Sequence, residues 1–123
     1  MIGKAYISVF PFYDITSKQM RFKKRPVLII GQADNKDFVV LPISRVTNQN
    51  HIDSYYDVKL EPADFPLMNL TQKSFVRTHK QMIINLGELV KEIVDFRVEY
   101  EEAYLKILIK VEEFQKNLIT NAM

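Results

Sequence analysis

The last quarter of the chain has a pattern that only a helix satisfies. From about Asp95 onward the sequence contains no glycine or proline, and apolar or aromatic residues recur there at steps of four and three. These residues are Tyr100, Tyr104, Ile107, Val111, Phe114 and Leu118. The spacing predicts an amphipathic helix over about residues 95 to 121. Roughly 24 helical residues span roughly 36 Å. Because that is long for a small domain, its outer end is expected to pack on a partner chain.

The preceding residues, about 1 to 94, predict a β-rich body. Runs of β-branched and aromatic residues bounded by turn formers are typical of strands. The runs are KAYISVF, PVLIIGQ, FVVLPI, YYDVKL and SFVRTHKQMIINL. The second and third are separated by ADNKD and predict a hairpin. Proline cannot donate to a β-ladder, so Pro26 is expected at the start of its strand, and residues 11 to 20 are expected to form a loop.

The length of the chain indicates one domain, residues 1 to 123, of the α+β class. A content of 47% hydrophobic and 26% charged residues is ordinary for a globular protein. Cysteine is absent, which excludes disulfides, thiolate zinc sites and a cysteine nucleophile and fits a cytoplasmic protein. No apolar run approaches the roughly 20 residues of a membrane span, so no membrane partner is expected.

Positive charge is concentrated in the first part of the chain. Residues 1 to 50 carry eight Lys or Arg and three Asp, whereas residues 51 to 123 carry nine Lys or Arg and twelve Asp or Glu. Four cationic side chains fall within RFKKR, directly before the apolar run PVLII. This asymmetry suggests a surface that faces a polyanion.

The order of these segments resembles the MazF/PemK toxins of bacterial toxin–antitoxin systems. The resemblance rests on Gly3-Lys4-Ala5-Tyr6-Ile7, on Phe10-Pro11, on Arg25-Pro26-Val27-Leu28-Ile29-Ile30 and on Ile43-Ser44. Ser74-Phe75-Val76, Lys80-Gln81-Met82-Ile83 and the closing helix extend it to about Leu108. Serine stands at position 44 where the family's strand ends in Ile-Thr.

The resemblance implies a small SH3-like β-barrel of the CcdB/MazF type with a long C-terminal helix. It also implies a homodimer, metal-independent cleavage of single-stranded RNA with no cofactor, and a cognate antitoxin that covers the RNA-binding groove. Two alternatives stay open. The same barrel occurs in gyrase poisons, although the terminal segment NLITNAM has no tryptophan, and in nucleic-acid-binding domains without chemistry.

Arg25 and Ser44 are the candidate catalytic residues. A guanidinium matches phosphate oxygens in a bidentate manner and stays charged, so Arg25 suits the stabilisation of a phosphorane rather than the role of base. The hydroxyl of Ser44 can position a phosphate oxygen or the 2′-OH. The alternatives are an arginine paired with a carboxylate at a strand end and a serine that merely enters the following loop.

RNA contacts are expected from five further residues. Lys23 and Lys24 precede Arg25 and can track phosphates, or can simply be solvated. Arg45 and Thr47 follow Ser44 directly, and His79, which stands near Arg77 and Lys80, can serve as an acid or base. His51, in a polar loop, is expected to be exposed. Two histidines without ligand spacing and without cysteine predict no metal site.

Overall fold

A single antiparallel sheet forms the body of the protein. The computed structural model describes residues 1–46 and 48–123. Seven strands follow one another along the chain: β1 (Lys4–Asp14), β2 (Gln19–Gln32), β3 (Asp37–Ser44), β4 (Asp57–Leu60), β5 (Ser74–Arg77), β6 (Met82–Asn85) and β7 (Leu89–Asp95). Two helices close the chain: α1 (Phe96–Glu99) and α2 (Glu101–Ala122). The α+β class is therefore confirmed.

The strands lie in the order β4-β5-β3-β2-β1-β7, and β6 also pairs with β3. One edge of β3 is shared, because Asp37 to Val40 pair with β6 whereas Ile43 and Ser44 pair with β5. Pro42 stands between the two partners, where its missing N–H costs no ladder bond on that edge. The sheet divides there and curls around the end of β3.

Both faces of the sheet are covered at its centre, which explains the unbroken apolar run of β2. Leu28 faces one core with Leu41, Leu60, Phe96 and Ile107, all fully buried. Its neighbours in β2 face the opposite core, whose buried residues are Val27, Ile29, Phe38, Val40 and Ile84. Successive side chains of a strand alternate between faces, so the strand must be apolar at every position between two cores.

The predicted loop over residues 11 to 20 is wrong in most of its length. The strands β1 and β2 stay paired from Ala5 with Leu28 out to Asp14 with Gln19, and only residues 15 to 18 form the turn. Thr16 and Ser17 lie in that turn, and Thr16 N–H donates to Asp14 Oδ1 at 3.0 Å. The cationic cluster therefore lies on a strand. Pro26 is inside β2, not at its start, one position before the pairing with β3 begins at Val27.

The predicted helix over about 95 to 121 is divided at Tyr100. This residue has φ −133° and separates α1 from α2, although the sequence there contains no helix breaker. Its ring packs edge-on against Phe65 and beside Phe96, and its hydroxyl accepts a hydrogen bond from Leu67 N–H at 2.9 Å. Contacts from a distant loop thus override the local helical preference. No helix of the described residues is both long and apolar enough to cross a membrane.

The backbone conformation and the close surroundings of position 3 explain why a glycine stands directly before β1. Its φ is +90°, a conformation that side chains rarely adopt, and an added Cβ would stand 2.6 Å from Cβ of Arg97. Gly3 N–H donates to Ile29 C=O, and its own carbonyl accepts from Arg97 N–H. The glycine therefore lets the N-terminus pass closely under α1.

We expect Phe96→Ala to destabilise the fold strongly. Phe96 is fully buried, and its ring stacks on Phe65 with centroids 5.8 Å apart. Loss of a buried phenylalanine removes about 3–5 kcal/mol from the free energy of unfolding, to be measured by urea denaturation. Phe22→Ala is the matched control, because Phe22 is 70% exposed, and is expected to cost less than about 0.5 kcal/mol. Equal costs for the two variants would contradict this core.

Candidate functional site

A groove of about 990 Å³ runs along the side of the sheet where β3 ends. One wall comes from β1 and the cationic part of β2, and a second comes from the segment after Ser44. The third wall consists of residues 68 to 71 and β5. The lining residues that carry a positive charge or a hydroxyl group include Lys23, Lys24, Arg25, Ser44, Arg45 and Arg77.

Arg25 is held by its backbone and is free at its side chain. It pairs with Ser8 across the β1–β2 ladder, and the buried Ser8 hydroxyl donates to Arg25 C=O at 2.8 Å. Two residues later Val27 is fully buried. The side chain of Arg25 is exposed at the groove and takes part in no ion pair of the described residues. The alternative of a structural arginine–carboxylate pair is thus not observed.

Ser44 lines the same groove, at the end of the strand that neighbours β2. It is the last residue of β3 and pairs with Phe75 of β5, directly after the buried Ile43. Its half-buried hydroxyl makes no hydrogen bond to the described residues. The structure therefore brings the two predicted catalytic residues to one groove, from two different strands.

Three of the five predicted RNA-binding residues also line the groove: Lys23, Lys24 and Arg45. The Nζ atom of Lys23 lies 4.4 Å from the centroid of the Phe12 ring on the neighbouring strand, which restrains this lysine by a cation–π contact. Thr47 lies outside the described residues.

His79 is not brought into the groove. It follows β5 in a turn, where the buried Thr78 hydroxyl donates to Tyr56 C=O at 2.6 Å and directs the chain away from the lining residues. The His79 ring packs near Tyr56 and Phe114, with centroids at 5.8 and 6.3 Å, and its side chain is 14% exposed. The predicted contact of His79 with RNA therefore has no support from its position.

His51 occupies the groove instead, together with an arginine that the sequence did not single out. His51 is exposed, as expected, but it lines the groove. Arg77, at the end of β5, donates from Nη2 to His51 C=O at 2.7 Å and from Nε to Asp57 Oδ1 at 3.1 Å. Its Nη1 group makes no hydrogen bond to the described residues, which leaves one donor face for a ligand.

The buried carboxylate of Asp57 holds the residues that form this side of the groove. Its side chain is fully buried, and its Oδ2 atom also accepts from Asp53 N–H at 2.8 Å. Asp53 in turn accepts from the N–H groups of Tyr56 and Tyr55, which lower the pKa of its carboxyl. A buried carboxylate thus fixes the direction of Arg77 and the course of residues 51 to 57.

The groove carries one sign of charge. Five Lys or Arg side chains line it, and no Asp or Glu is found among its described lining residues. Cations that converge on a concave surface attract phosphates and hold them by charge-assisted hydrogen bonds. No cluster of three or more His, Asp or Glu with metal-binding geometry occurs within residues 1–46 and 48–123. The arrangement can bind a polyanionic strand and stabilise negative charge at a phosphorus atom.

We expect Asp57→Asn to reduce stability and release Arg77. Breaking a buried ion pair by neutralising one partner costs roughly 3–5 kcal/mol, so the free energy of unfolding should fall by about that amount. The control is Glu61→Gln, because Glu61 pairs with Lys59 at 3.6 Å on the exposed surface and is expected to cost less than about 1 kcal/mol. Similar losses in urea denaturation would argue against a structural role for Asp57.

The partly buried His79 gives the free energy of unfolding a pH dependence whose sign follows from its environment. Burial lowers the pKa of His79, and the carboxylates of Asp57 and Asp53 oppose that shift. As the pH falls, the imidazole of His79 is therefore protonated in the unfolded chain before it is protonated in the folded one. The contribution of His79 to the free energy of unfolding is fully present above about pH 6.5 and is lost as the pH falls below that value. His79→Gln should flatten the dependence of the unfolding free energy on pH between about pH 5 and pH 7, by at most about 1.4 kcal/mol per pH unit.

The control for this measurement is Phe22→Ala, which removes an exposed side chain that does not titrate and should leave the slope as in the parent protein. A parental slope in His79→Gln would show that other groups titrate instead.

The comparisons with known proteins found similarity to this chain in three-dimensional structure. No family model matches the chain, and no curated protein matches its sequence. Among solved structures, the Mycobacterium tuberculosis toxin MazF-mt6 is similar, with a TM-score of 0.58 and 17% sequence identity. The similarity covers 90% of this chain and 96% of that one. The expected architecture is thereby confirmed: the chain has the MazF-type fold, a curled antiparallel sheet closed by a C-terminal helix.

Proposed function

We propose that the protein is the toxin of a toxin–antitoxin pair and that it cleaves single-stranded RNA without a metal ion. The observation that carries the proposal is the groove, whose described lining residues include five cationic side chains and no carboxylate. Within it, the side chain of Arg25 makes no ion pair to the described residues, and its backbone is held in the sheet. The MazF-type fold supports the same function.

The cleavage proceeds by attack of the ribose 2′-oxygen on the adjacent phosphorus. A 2′-O–P bond forms, the P–O5′ bond breaks, and the products are a 2′,3′-cyclic phosphate and a 5′-hydroxyl. The 2′-OH loses a proton and the leaving 5′-oxygen gains one. Arg25 stabilises the additional negative charge of the phosphorane with its guanidinium, because its backbone is fixed in the strand at the edge of the groove.

Ser44 and Arg77 complete the phosphate site from the ends of β3 and β5. The hydroxyl of Ser44 holds a phosphate oxygen or the 2′-OH in line for attack. Arg77 offers its remaining Nη1 donors while Asp57 keeps its orientation. His51 is the imidazole that lines the groove, and it transfers a proton at one of the two reacting oxygens.

The rest of the RNA strand follows the cationic surface outward from this centre. Lys23, Lys24 and Arg45 bind flanking phosphates, and Thr47 contributes a hydroxyl contact by its sequence position. The same surface fits a cognate antitoxin with acidic side chains, which inhibits by occupying the groove. The protein acts in the cytoplasm as a homodimer, and expression without the antitoxin arrests growth.

We expect the purified protein to cleave a long single-stranded RNA in the presence of EDTA and to leave 2′,3′-cyclic phosphate ends. Arg25→Ala should lower the cleavage rate by about 10²–10³-fold, the usual effect of removing one preorganised donor. Ser44→Ala should lower it by about tenfold, because a single hydrogen bond to a charged group is lost. Arg97→Ala is the matched control, since this exposed arginine of α1 lies outside the groove.

Measurements of RNA binding distinguish variants that have lost catalysis from variants that have lost affinity for RNA. If Lys24 contacts one phosphate, Lys24→Ala should reduce the slope of log K against log salt by about 0.7 for a single strand. Salt-dependent binding with intact RNA would identify a nucleic-acid-binding domain without chemistry. Cleavage that survives Arg25→Ala at the parental rate would overturn the assigned site, and inhibition of gyrase supercoiling without RNA cleavage would favour a gyrase poison.

A further inference from the structure

The groove combines charged and apolar surface. Besides its cationic side chains it is lined by buried or half-buried apolar residues from four strands: Ile7, Pro26, Ile43 and Ile93. A nucleotide is divided in the same way, because its phosphate is anionic, the faces of its base are apolar, and the edges of the base carry hydrogen-bond donors and acceptors. Contacts to phosphate carry no sequence information, so a preference for one base requires a polar group that reaches a base edge.

Asn69 is a lining residue whose side chain fits this requirement. It is exposed, and its amide makes no hydrogen bond to the described residues, so one acceptor and one donor group are both free. An amide presents these two groups side by side. Asn48, which also lines the groove, accepts with its Oδ1 atom from Asn50 N–H at 3.0 Å and thereby caps the turn that follows it.

The backbone that carries Asn69 is held in place. The φ and ψ of Asn69 are 55° and 38°, a left-handed conformation that asparagine and glycine adopt more readily than other residues. Met68, directly before it, is 2% exposed and packs in the core, and Asn69 N–H donates to Pro66 C=O at 3.3 Å. The amide therefore stands on a fixed support, which recognition of one ligand among similar ones requires.

We propose that Asn69 is a specificity-determining residue that binds the edge of one base of the RNA strand, and that this base is adenine. Adenine offers a donor and an acceptor side by side, and asparagine binds such a pair in a bidentate manner. Phosphates held by the cations of the groove bring the base to this wall. The inference rests on the proposed function, since it assigns a base contact to the groove in which cleavage takes place.

Asn69→Gly separates recognition from conformation, because glycine adopts a positive φ without strain and has no amide. RNA of random sequence is cleaved by each protein, and the new ends are sequenced. The parent should favour adenine at one position beside the cleaved bond by about fivefold or more, the discrimination of one bidentate pair. Asn69→Gly should lose this preference and keep those at other positions. Asn35→Gly is the matched control, because Asn35 lies in an exposed turn outside the groove.

Asn69→Asp tests the chemistry of the contact. A carboxylate has two acceptors and no donor, so this variant should exchange adenine for guanine, whose N1–H and N2–H groups are neighbouring donors on one edge. Circular dichroism verifies that each variant is folded. An adenine preference that survives in Asn69→Gly, or a parental preference for another base at that position, would overturn the inference while cleavage through Arg25 stands.

A binding measurement makes the same comparison without cleavage. Fluorescence anisotropy with oligonucleotides that contain only adenine, only cytosine or only uracil should show tighter binding of the adenine strand by the parent, and Asn69→Gly should bind the three strands alike. An adenine preference that Asn69→Gly retains in this assay would overturn the inference even if the parent does not cleave RNA. A parent protein that binds none of the strands would overturn the proposed function and this inference together.

Discussion

The continuity of β2 is the constraint on which the rest of the structure depends. One strand of fourteen residues carries exposed cations in its first half and a fully buried apolar run in its second half. Because β2 pairs with β1 from Gln19 to Leu28 and with β3 from Val27 onward, the cationic half cannot move independently of the core. Burial of Val27, Leu28 and Ile29 thereby determines the position of Arg25. The geometry of the groove consequently depends on the stability of the sheet.

Local patterns predicted the parts of this arrangement that local chemistry determines. The junction of RFKKR with PVLII indicated a charged side chain held at the edge of a core, and the structure places Arg25 there. The end of β3 was recognised from its apolar run, whereas the meeting of Arg25 with Ser44 at one groove was implied by the resemblance to the MazF/PemK toxins. The two-sided core was not predicted, although a strand that is apolar at every position has no face suited to solvent.

The remaining features depend on contacts that are distant in the sequence. Arg77 reaches the groove because β5 pairs with the end of β3 and because a buried carboxylate, Asp57, holds its guanidinium. Neither fact is visible in the stretch SFVRTHK. His79 and Arg77 are two residues apart, yet the turn at Thr78 sends only Arg77 to the groove. The division of the last helix likewise results from aromatic packing around Tyr100 and not from a breaker residue.

The hydrogen bond from Leu67 to Tyr100 gives the walls of the groove different mechanical properties. The wall on β2 is part of the sheet and can be displaced only by breaking strand pairs. The wall formed by Met68, Asn69 and Leu70 belongs to a loop that is held by one phenolic hydrogen bond, by the ring contacts of Phe65 and by the burial of Met68 in the core. Widening the groove on this side would break those side-chain contacts and no strand pair, whereas widening it at β2 would break the sheet.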